Sequence, residues 1–169
     1  MNEKILVVDD ERSIRESLSK VLRAEGYEIV LAENGQQAIE KLAQEPIDLL
    51  LLDLGLPGKD GWATLRWLAQ VSPLLPVIII TGRWKQGELA AAAKVDVLME
   101  KPLDVPVLFQ IIHELLQEPP EVRARRIQAR GAGFRNVPCD GKEFCEQLKR
   151  SYTTPYPCGA MSVPKPHGV

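Results

Sequence analysis

Leu49-Leu50-Leu51-Leu52-Asp53-Leu54-Gly55-Leu56-Pro57 opens with four leucines in succession and then presents a carboxylate. A strand with one face in water alternates apolar and polar residues. A strand apolar at every position is covered on both faces, as in a parallel sheet sandwiched between helices. Val77 to Ile80 reads the same way. Outward from these two runs, short apolar segments alternate with segments of helical period. Ile5 to Val8 precedes a helix bearing Ile14, Leu18, Val21 and Leu22 and stopped by Gly26. Glu28 to Leu31 precedes a helix with Ala38, Ile39 and Leu42 that ends before Pro46. After Leu49 to Leu52 come a loop to Gly61 and a helix using Trp62, Leu65, Leu68 and Ala69. Val77 to Ile80 leads into an alanine-rich helix around Leu89 to Ala93, and Val97 to Met99 into a helix with Leu108, Ile111, Ile112 and Leu115. Five βα units of this kind make a doubly wound α/β fold. Right-handed crossovers then put every strand's carboxyl end on one edge, where ligands bind.

Composition fits one soluble domain plus a remainder: 169 residues, 45% apolar and 26% charged, with a net charge of −2. The longest uncharged stretch, Trp67 to Gly82, is interrupted by Gln70, Ser72, Pro73 and Pro76, and falls short of the roughly 18 to 20 mainly apolar residues of a bilayer span. Met1 to Val8 offers only Ile5 to Val8 before two aspartates, which is no secretory leader. A cytoplasmic protein without membrane contact is expected. Charge divides the chain: residues 1–117 carry −6 and residues 118–169 carry +4, with 7 of the 13 prolines in the second part. We therefore read a domain over 1–117 and a basic, proline-containing C-terminal extension over 118–169, mostly irregular, with one or two short helices. The three cysteines, Cys139, Cys145 and Cys158, all lie in that extension, so the main core has no disulfide framework.

The strand ends carry the chemistry. Asp9 and Asp10 follow the first strand, Asp53 ends the third, Thr81 the fourth and Lys101 the fifth. Taken singly they have ordinary explanations: an aspartate pair can cap the first helix, Asp53 can be a turn residue, Thr81 a β-branched strand end and Lys101 a solvated lysine. Four strands delivering these types to one edge is a stronger pattern. Three crowded carboxylates repel one another unless a cation lies between them, and hard oxygen ligands with room for water suit Mg²⁺. A lysine charge and a threonine hydroxyl complete a site for a tetrahedral anion. A carboxylate nucleophile beside a metal and an ammonium is equipped to accept a phosphoryl group.

Asp9-Asp10, Asp53-Leu54-Gly55-Leu56-Pro57-Gly58-Lys59-Asp60-Gly61, Thr81-Gly82 and Lys101-Pro102 together resemble the receiver domain of two-component response regulators, over residues 2 to about 117. The resemblance implies a flavodoxin-like, five-stranded parallel sheet of order 2-1-3-4-5. It further implies Asp53 as phosphoacceptor, taking the phosphoryl group from a sensor histidine kinase or phosphotransfer protein. Asp9, Asp10, the Asp53 carboxylate and the Gly55 backbone carbonyl would bind Mg²⁺. Lys101 and Thr81 would hold phosphoryl oxygens, with Lys101-Pro102 as the family's cis peptide and Gly82 as the small residue that keeps the site accessible. Two positions depart from the usual pattern. Leu98 stands where an aromatic residue is common, three positions before the lysine, which removes the usual coupling of threonine to a ring. Gly55 stands where a larger side chain is common, which opens the site to water.

The function expected is therefore a phosphorylation-activated switch with output through protein contact, not an enzyme beyond its own phosphorylation and dephosphorylation. Alternatives are a degenerate receiver serving as a constitutive scaffold, which has no need of the five intact residues, and a DNA-binding regulator acting through the basic tail. A haloacid-dehalogenase-like phosphatase would want a second acid where Gly55 stands. In the extension, Pro120 to Ala129 and Gly141 to Tyr152 are helical candidates, the second with Phe144, Leu148 and Tyr152 recurring every four residues. Arg123, Arg125, Arg126 and Arg130 read as a solvated helix face, since no helix-turn-helix pattern follows, and nucleic acid is not an expected partner. Cys139, Cys145, Cys158 and His167 match no paired zinc-ligand spacing. For output, the loop from Gly82 to Gly87 with Trp84 is the expected moving part.

Overall fold

Parallel strands dominate the computed structural model, which describes residues 2–56, 60–82, 95–129 and 135–137. The elements run β1 (Lys4–Val8), α1 (Arg12–Ala24), β2 (Glu28–Ala32), α2 (Gly35–Gln44), β3 (Leu49–Asp53), α3 (Asp60–Val71), β4 (Val77–Thr81), β5 (Val97–Glu100), α4 (Val105–Gln117), α5 (Pro120–Ala129) and β6 (Arg135–Val137). The helix expected around Leu89 to Ala93, Trp84, the Phe144, Leu148 and Tyr152 stripe, Arg130, and the cysteines with His167 lie outside the described residues.

The sheet order is β2-β1-β3-β4-β5-β6, every pair parallel. Its first five strands are the flavodoxin-like 2-1-3-4-5 arrangement that the sequence implied. β3 and β4 are buried along their whole length, which is why their sequences show no alternation. Alternate residues of each strand feed two opposite core layers. Ile5, Val7, Leu49, Leu51, Ile78, Ile80, Val97 and Met99 meet α1 and α4 through Leu18, Leu22, Leu108, Ile111, Ile112 and Leu115. Leu6, Val8, Leu50, Leu52, Ile79 and Leu98 meet α2 and α3 through Ala38, Leu65 and Leu68.

Local signals explain the helix ends. Gly26 takes φ +96, donates to the Arg23 carbonyl at 3.0 Å and lets Tyr27 N–H reach the Leu22 carbonyl at 3.3 Å. These two bonds close α1 in a left-handed cap that glycine enters without steric cost. Asn34 Oδ1 caps α2 through Gln37 N–H at 2.9 Å, and Asp104 Oδ1 caps α4 through Val107 N–H at 3.2 Å. One face differs from the expected one: Ala69 is exposed, whereas Thr64, five residues earlier, is fully buried. With Gly61, Leu65 and Leu68 buried as well, the inward stripe of α3 is rotated by about one residue from the expected one.

The extension adds one strand to the sheet and one helix beside it. β6 pairs with β5 in the register Val97↔Arg135, Leu98↔Asn136 and Met99↔Val137, so β5 is not an edge. α5 is anchored by its arginines, which corrects the expected solvated face. Arg123 is only 3% exposed and its Nη2 donates to Asp96 Oδ2, while Arg126 Nη2 donates to Asp96 Oδ1 at 2.8 Å. Glu118, between α4 and α5, accepts from Arg123 Nη1 at 3.4 Å and from Arg126 Nε at 2.7 Å and Nη2 at 2.6 Å. Burial presses the Arg123 guanidinium down from its ordinary pKa, and the charges of Asp96 and Glu118 oppose that fall. Two guanidiniums and two carboxylates thus form a neutral cluster, because isolated charges could not be buried there. Arg125 alone of the three described arginines of α5 faces solvent. Among the described residues, no helix is long and apolar enough to cross a membrane.

Candidate functional site

The strand carboxyl ends converge as the topology requires. Asp9 and Asp10 follow β1, and Asp53 closes the central strand β3. Asp9 and Asp53 are 1% and 5% exposed, and Asp10 is exposed. One carboxylate oxygen from each of the three lies within 4.8 Å of the others. That is a three-carboxylate set open to water through Asp10, the donor chemistry of a hard divalent cation that keeps part of its hydration shell.

Hydrogen bonds fix where these oxygens point. Asp9 Oδ1 accepts Glu11 N–H at 2.8 Å. The α1 N-cap is Glu11, with no side-chain cap bond, so helix capping does not account for the acidic pair. Asp53 Oδ1 accepts Gly55 N–H at 2.6 Å. A Cβ on residue 55 would stand 3.0 Å from that same oxygen, so a larger residue here would require the carboxylate to shift. The Asp53 Oδ2 atom receives Lys101 Nζ at 2.6 Å, and the same ammonium reaches Asp9 Oδ2 at 3.2 Å.

The electrostatics follow. Burial pushes the Asp9 carboxyl above its ordinary range, against the opposing pull of Glu11 N–H and Lys101. Burial alone would depress the Lys101 ammonium, but the hydrogen bond and charge of Asp53, with those of Asp9, outweigh it and hold the group above its usual value. Lys101 is thus a fixed positive charge inside a cluster of negative ones.

Thr81 ends β4, is buried, and pairs in register with Glu100. Its carbonyl accepts Lys101 N–H at 2.9 Å, which ties together the two strand ends that carry the polar groups. The Lys101-Pro102 bond is cis. A Cβ on Gly82 would meet nothing within 4 Å. Leu98 is buried in the layer with Leu50, Leu52 and Leu65, as a core residue.

One contributor escaped the sequence reading. Arg15 Nη1 donates to the carbonyls of Asp9 at 2.6 Å and Asp10 at 2.9 Å, so α1 holds the backbone of the acidic pair. A side chain bonded to carbonyls leaves no motif, and the spacing of five and six residues was the available clue.

A doubly wound α/β domain with three carboxylates and a lysine at its strand ends belongs to the class whose sites suit a divalent cation and an anion side by side. The particular family is given by comparison: the response regulator receiver domain matches residues 5–113, and the chain belongs to this family. It is 36% identical over 119 residues to response regulator MprA of Mycobacterium ulcerans, covering 69% of this chain and 51% of that protein. To MprA of Mycobacterium leprae it is 36% identical over 116 residues, covering 68% and 51%. The chain therefore spans about half the length of these curated relatives. Among solved structures it is similar to the CheY-like receiver domain protein of Methanospirillum hungatei, with a TM-score of 0.66, 26% identity, and coverage of 75% of this chain and 99% of that one. It is also similar to response regulator TrrA of Thermotoga maritima, crystallised in complex with Mg²⁺ and BeF, with a TM-score of 0.62, 33% identity, and coverage of 67% and 98%. The chain is thus a receiver domain of the two-component type, a signalling domain whose family works through phosphorylation, and its acidic cluster fits Mg²⁺.

Proposed function

We propose that Asp53 accepts a phosphoryl group from the phosphohistidine of a sensor histidine kinase or phosphotransfer protein, and that the resulting change is read by another protein. The supporting observation is the placement of the Asp53 carboxylate: it is buried at the end of the central strand, beside two further carboxylates and 2.6 Å from Lys101 Nζ. An Asp53 oxygen forms the new bond to phosphorus as the phosphorus–nitrogen bond of the donor breaks, its electron pair leaving with the imidazole nitrogen. Asp9, Asp10, the second Asp53 oxygen and the Gly55 carbonyl would hold Mg²⁺, which supplies neutralisation of the phosphoryl charge. Lys101 then moves its hydrogen bond from Asp53 Oδ2 to a phosphoryl oxygen, and the Thr81 hydroxyl donates to another. The phosphoacceptor unit is residues 1–117, with 118–169 as an extension, and it works in the cytoplasm. Arg123 and Arg126 are engaged with Asp96 and Glu118, which favours protein over nucleic acid as the output partner.

The test is mass spectrometry after incubation with a small phosphodonor and Mg²⁺. One phosphoryl group is expected on the wild type and none on Asp53→Ala. Equal labelling of the two proteins overturns the assignment.

A further inference from the structure

The cluster at the far end of the sheet touches the two strands that carry Thr81 and Lys101. Asp96 lies just before β5. Its Oδ2 accepts Val77 N–H, the first amide of β4, at 2.9 Å, and its own N–H donates to the Val77 carbonyl at 3.2 Å. The same carboxylate is gripped by Arg123 and Arg126 of α5. β6, which follows α5 in the chain, then lies along β5. Glu118, α5 and β6 therefore hold β4 and β5 at their starts and β5 along its flank. The opposite ends of these strands carry Thr81, and Lys101 directly after Glu100, about 16 Å from Asp96 at the rise of an extended chain.

We propose that this segment is an intramolecular clamp that sets the affinity of the site at the other ends of β4 and β5. The proposal rests on the reading of that site as one for a phosphoryl group. In the clamped arrangement Lys101 Nζ is committed to Asp53 and Asp9, and Lys101 N–H to Thr81. An anion on Asp53 must draw both the lysine and the threonine toward itself. Any state that displaces the ends of β4 and β5 strains a ladder anchored by buried charges, so the docked clamp favours the anion-free arrangement. By linkage the effect is reciprocal: an anion at Asp53 loosens the clamp. The cluster suits this role better than an apolar plug, because its charge-assisted hydrogen bonds are directional and fix one geometry. Both Asp96 oxygens are used by two guanidiniums three residues apart on one helix, and few other segments could replace that pair.

The experiment uses the full chain and two substitutions that leave Arg123 against Asp96: Arg126→Met and Glu118→Gln. Beryllofluoride with Mg²⁺ serves as phosphoryl mimic, its affinity measured by calorimetry. Amide hydrogen exchange is followed at residues 97–99 and 135–137. Expected are faster exchange at both segments in either variant and a gain in mimic affinity of about fivefold or more, the lower range of allosteric couplings. Saturating mimic should likewise speed exchange at 135–137 in the wild type. Faster exchange with an unchanged affinity in a folded variant makes the clamp purely structural and overturns the proposal. Unchanged exchange in both variants overturns it too, because the cluster then does not hold the segment. A wild type that binds no mimic at all, while the variants still show faster exchange, defeats the reading of the site itself and with it the regulatory role.

Discussion

Lys101 Nζ sits 2.6 Å from Asp53 Oδ2 and 3.2 Å from Asp9 Oδ2, so one ammonium neutralises part of the charge that a divalent cation would otherwise neutralise alone. Replacing it separates two effects that a general loss of structure would merge. Lys101→Met should bind Mg²⁺ more tightly, on the order of tenfold, because a positive charge a few ångströms from the cation is removed in a half-exposed setting. Labelling by a phosphodonor should fall in the same variant, since a ligand of the anion is lost. Calorimetric Mg²⁺ titration and mass spectrometry check the two arms, and a variant losing both Mg²⁺ binding and labelling would argue against this division of roles.

Asp10 contributes to the acidic cluster from an exposed position. Asp10→Asn is expected to leave the stability of the metal-free protein within about 0.5 kcal/mol of wild type, yet to shrink or abolish the rise in Tm that Mg²⁺ produces. Thermal melts with and without Mg²⁺ decide this, and an undiminished rise removes Asp10 from the ligand set.

Protonation of Asp9 gives a pH dependence whose sign can be worked out. Burial raises its carboxyl above the ordinary 3.8, so in the metal-free protein the group favours folding at the acidic end, and this contribution is lost as pH rises through the raised value. Mg²⁺ needs the carboxylate, so its affinity runs the other way and declines as pH falls through that value. The Mg²⁺-induced Tm rise should therefore begin to fade above the ordinary carboxylate range as samples are acidified from neutrality. A rise that persists undiminished down to that range would mean that Asp9 does not combine a raised carboxyl with a place among the ligands.

Asp96→Ala should cost about 3 to 5 kcal/mol in denaturant unfolding, the usual consequence of removing one partner from a buried ion cluster. Arg123, at 3% exposure, loses the nearer of its two carboxylates, and Val77 N–H loses its side-chain acceptor. Arg125→Ala, on the exposed side of the same helix, should stay within about 0.5 kcal/mol and serves as the control.

How much of this was legible follows from where each feature gets its cause. Leu49 to Leu52 and Val77 to Ile80 are apolar because the sheet is covered on both sides, so their pattern alone fixes the layering. Asp9, Asp10, Asp53, Thr81 and Lys101 were legible as a group because parallel topology sends every strand end to the same edge. The place of Arg123 is not legible locally because the burial of an arginine is decided by its partners, here Asp96, which is 27 residues away, and Glu118. Arg135-Asn136-Val137 has neither the length nor the alternation of a strand. It becomes one only because β5 offers it unpaired amides and carbonyls, a tertiary cause that no local window contains. The acceptance of Thr64 and rejection of Ala69 on α3 is a smaller case: a shift of about one residue in helix phase lies within what an alanine and a threonine leave undetermined.

The match to the receiver family model ends at residue 113, whereas the hydrogen-bonded sheet runs on to Val137. A cut chosen from family resemblance would sever α5 from α4, strip Asp96 of both its counter-ions and lay bare the flank of β5. Fusion partners or affinity tags are therefore better joined beyond Val137 than at the family limit. The same geometry shows how such a domain can grow. A parallel α/β sheet accepts another strand at its open side, while the crevice between β1 and β3, where the acidic residues stand, lies on the far side of β4 and β5. The added strand lies at the margin, and whatever it does to the centre must pass through β5 and β4.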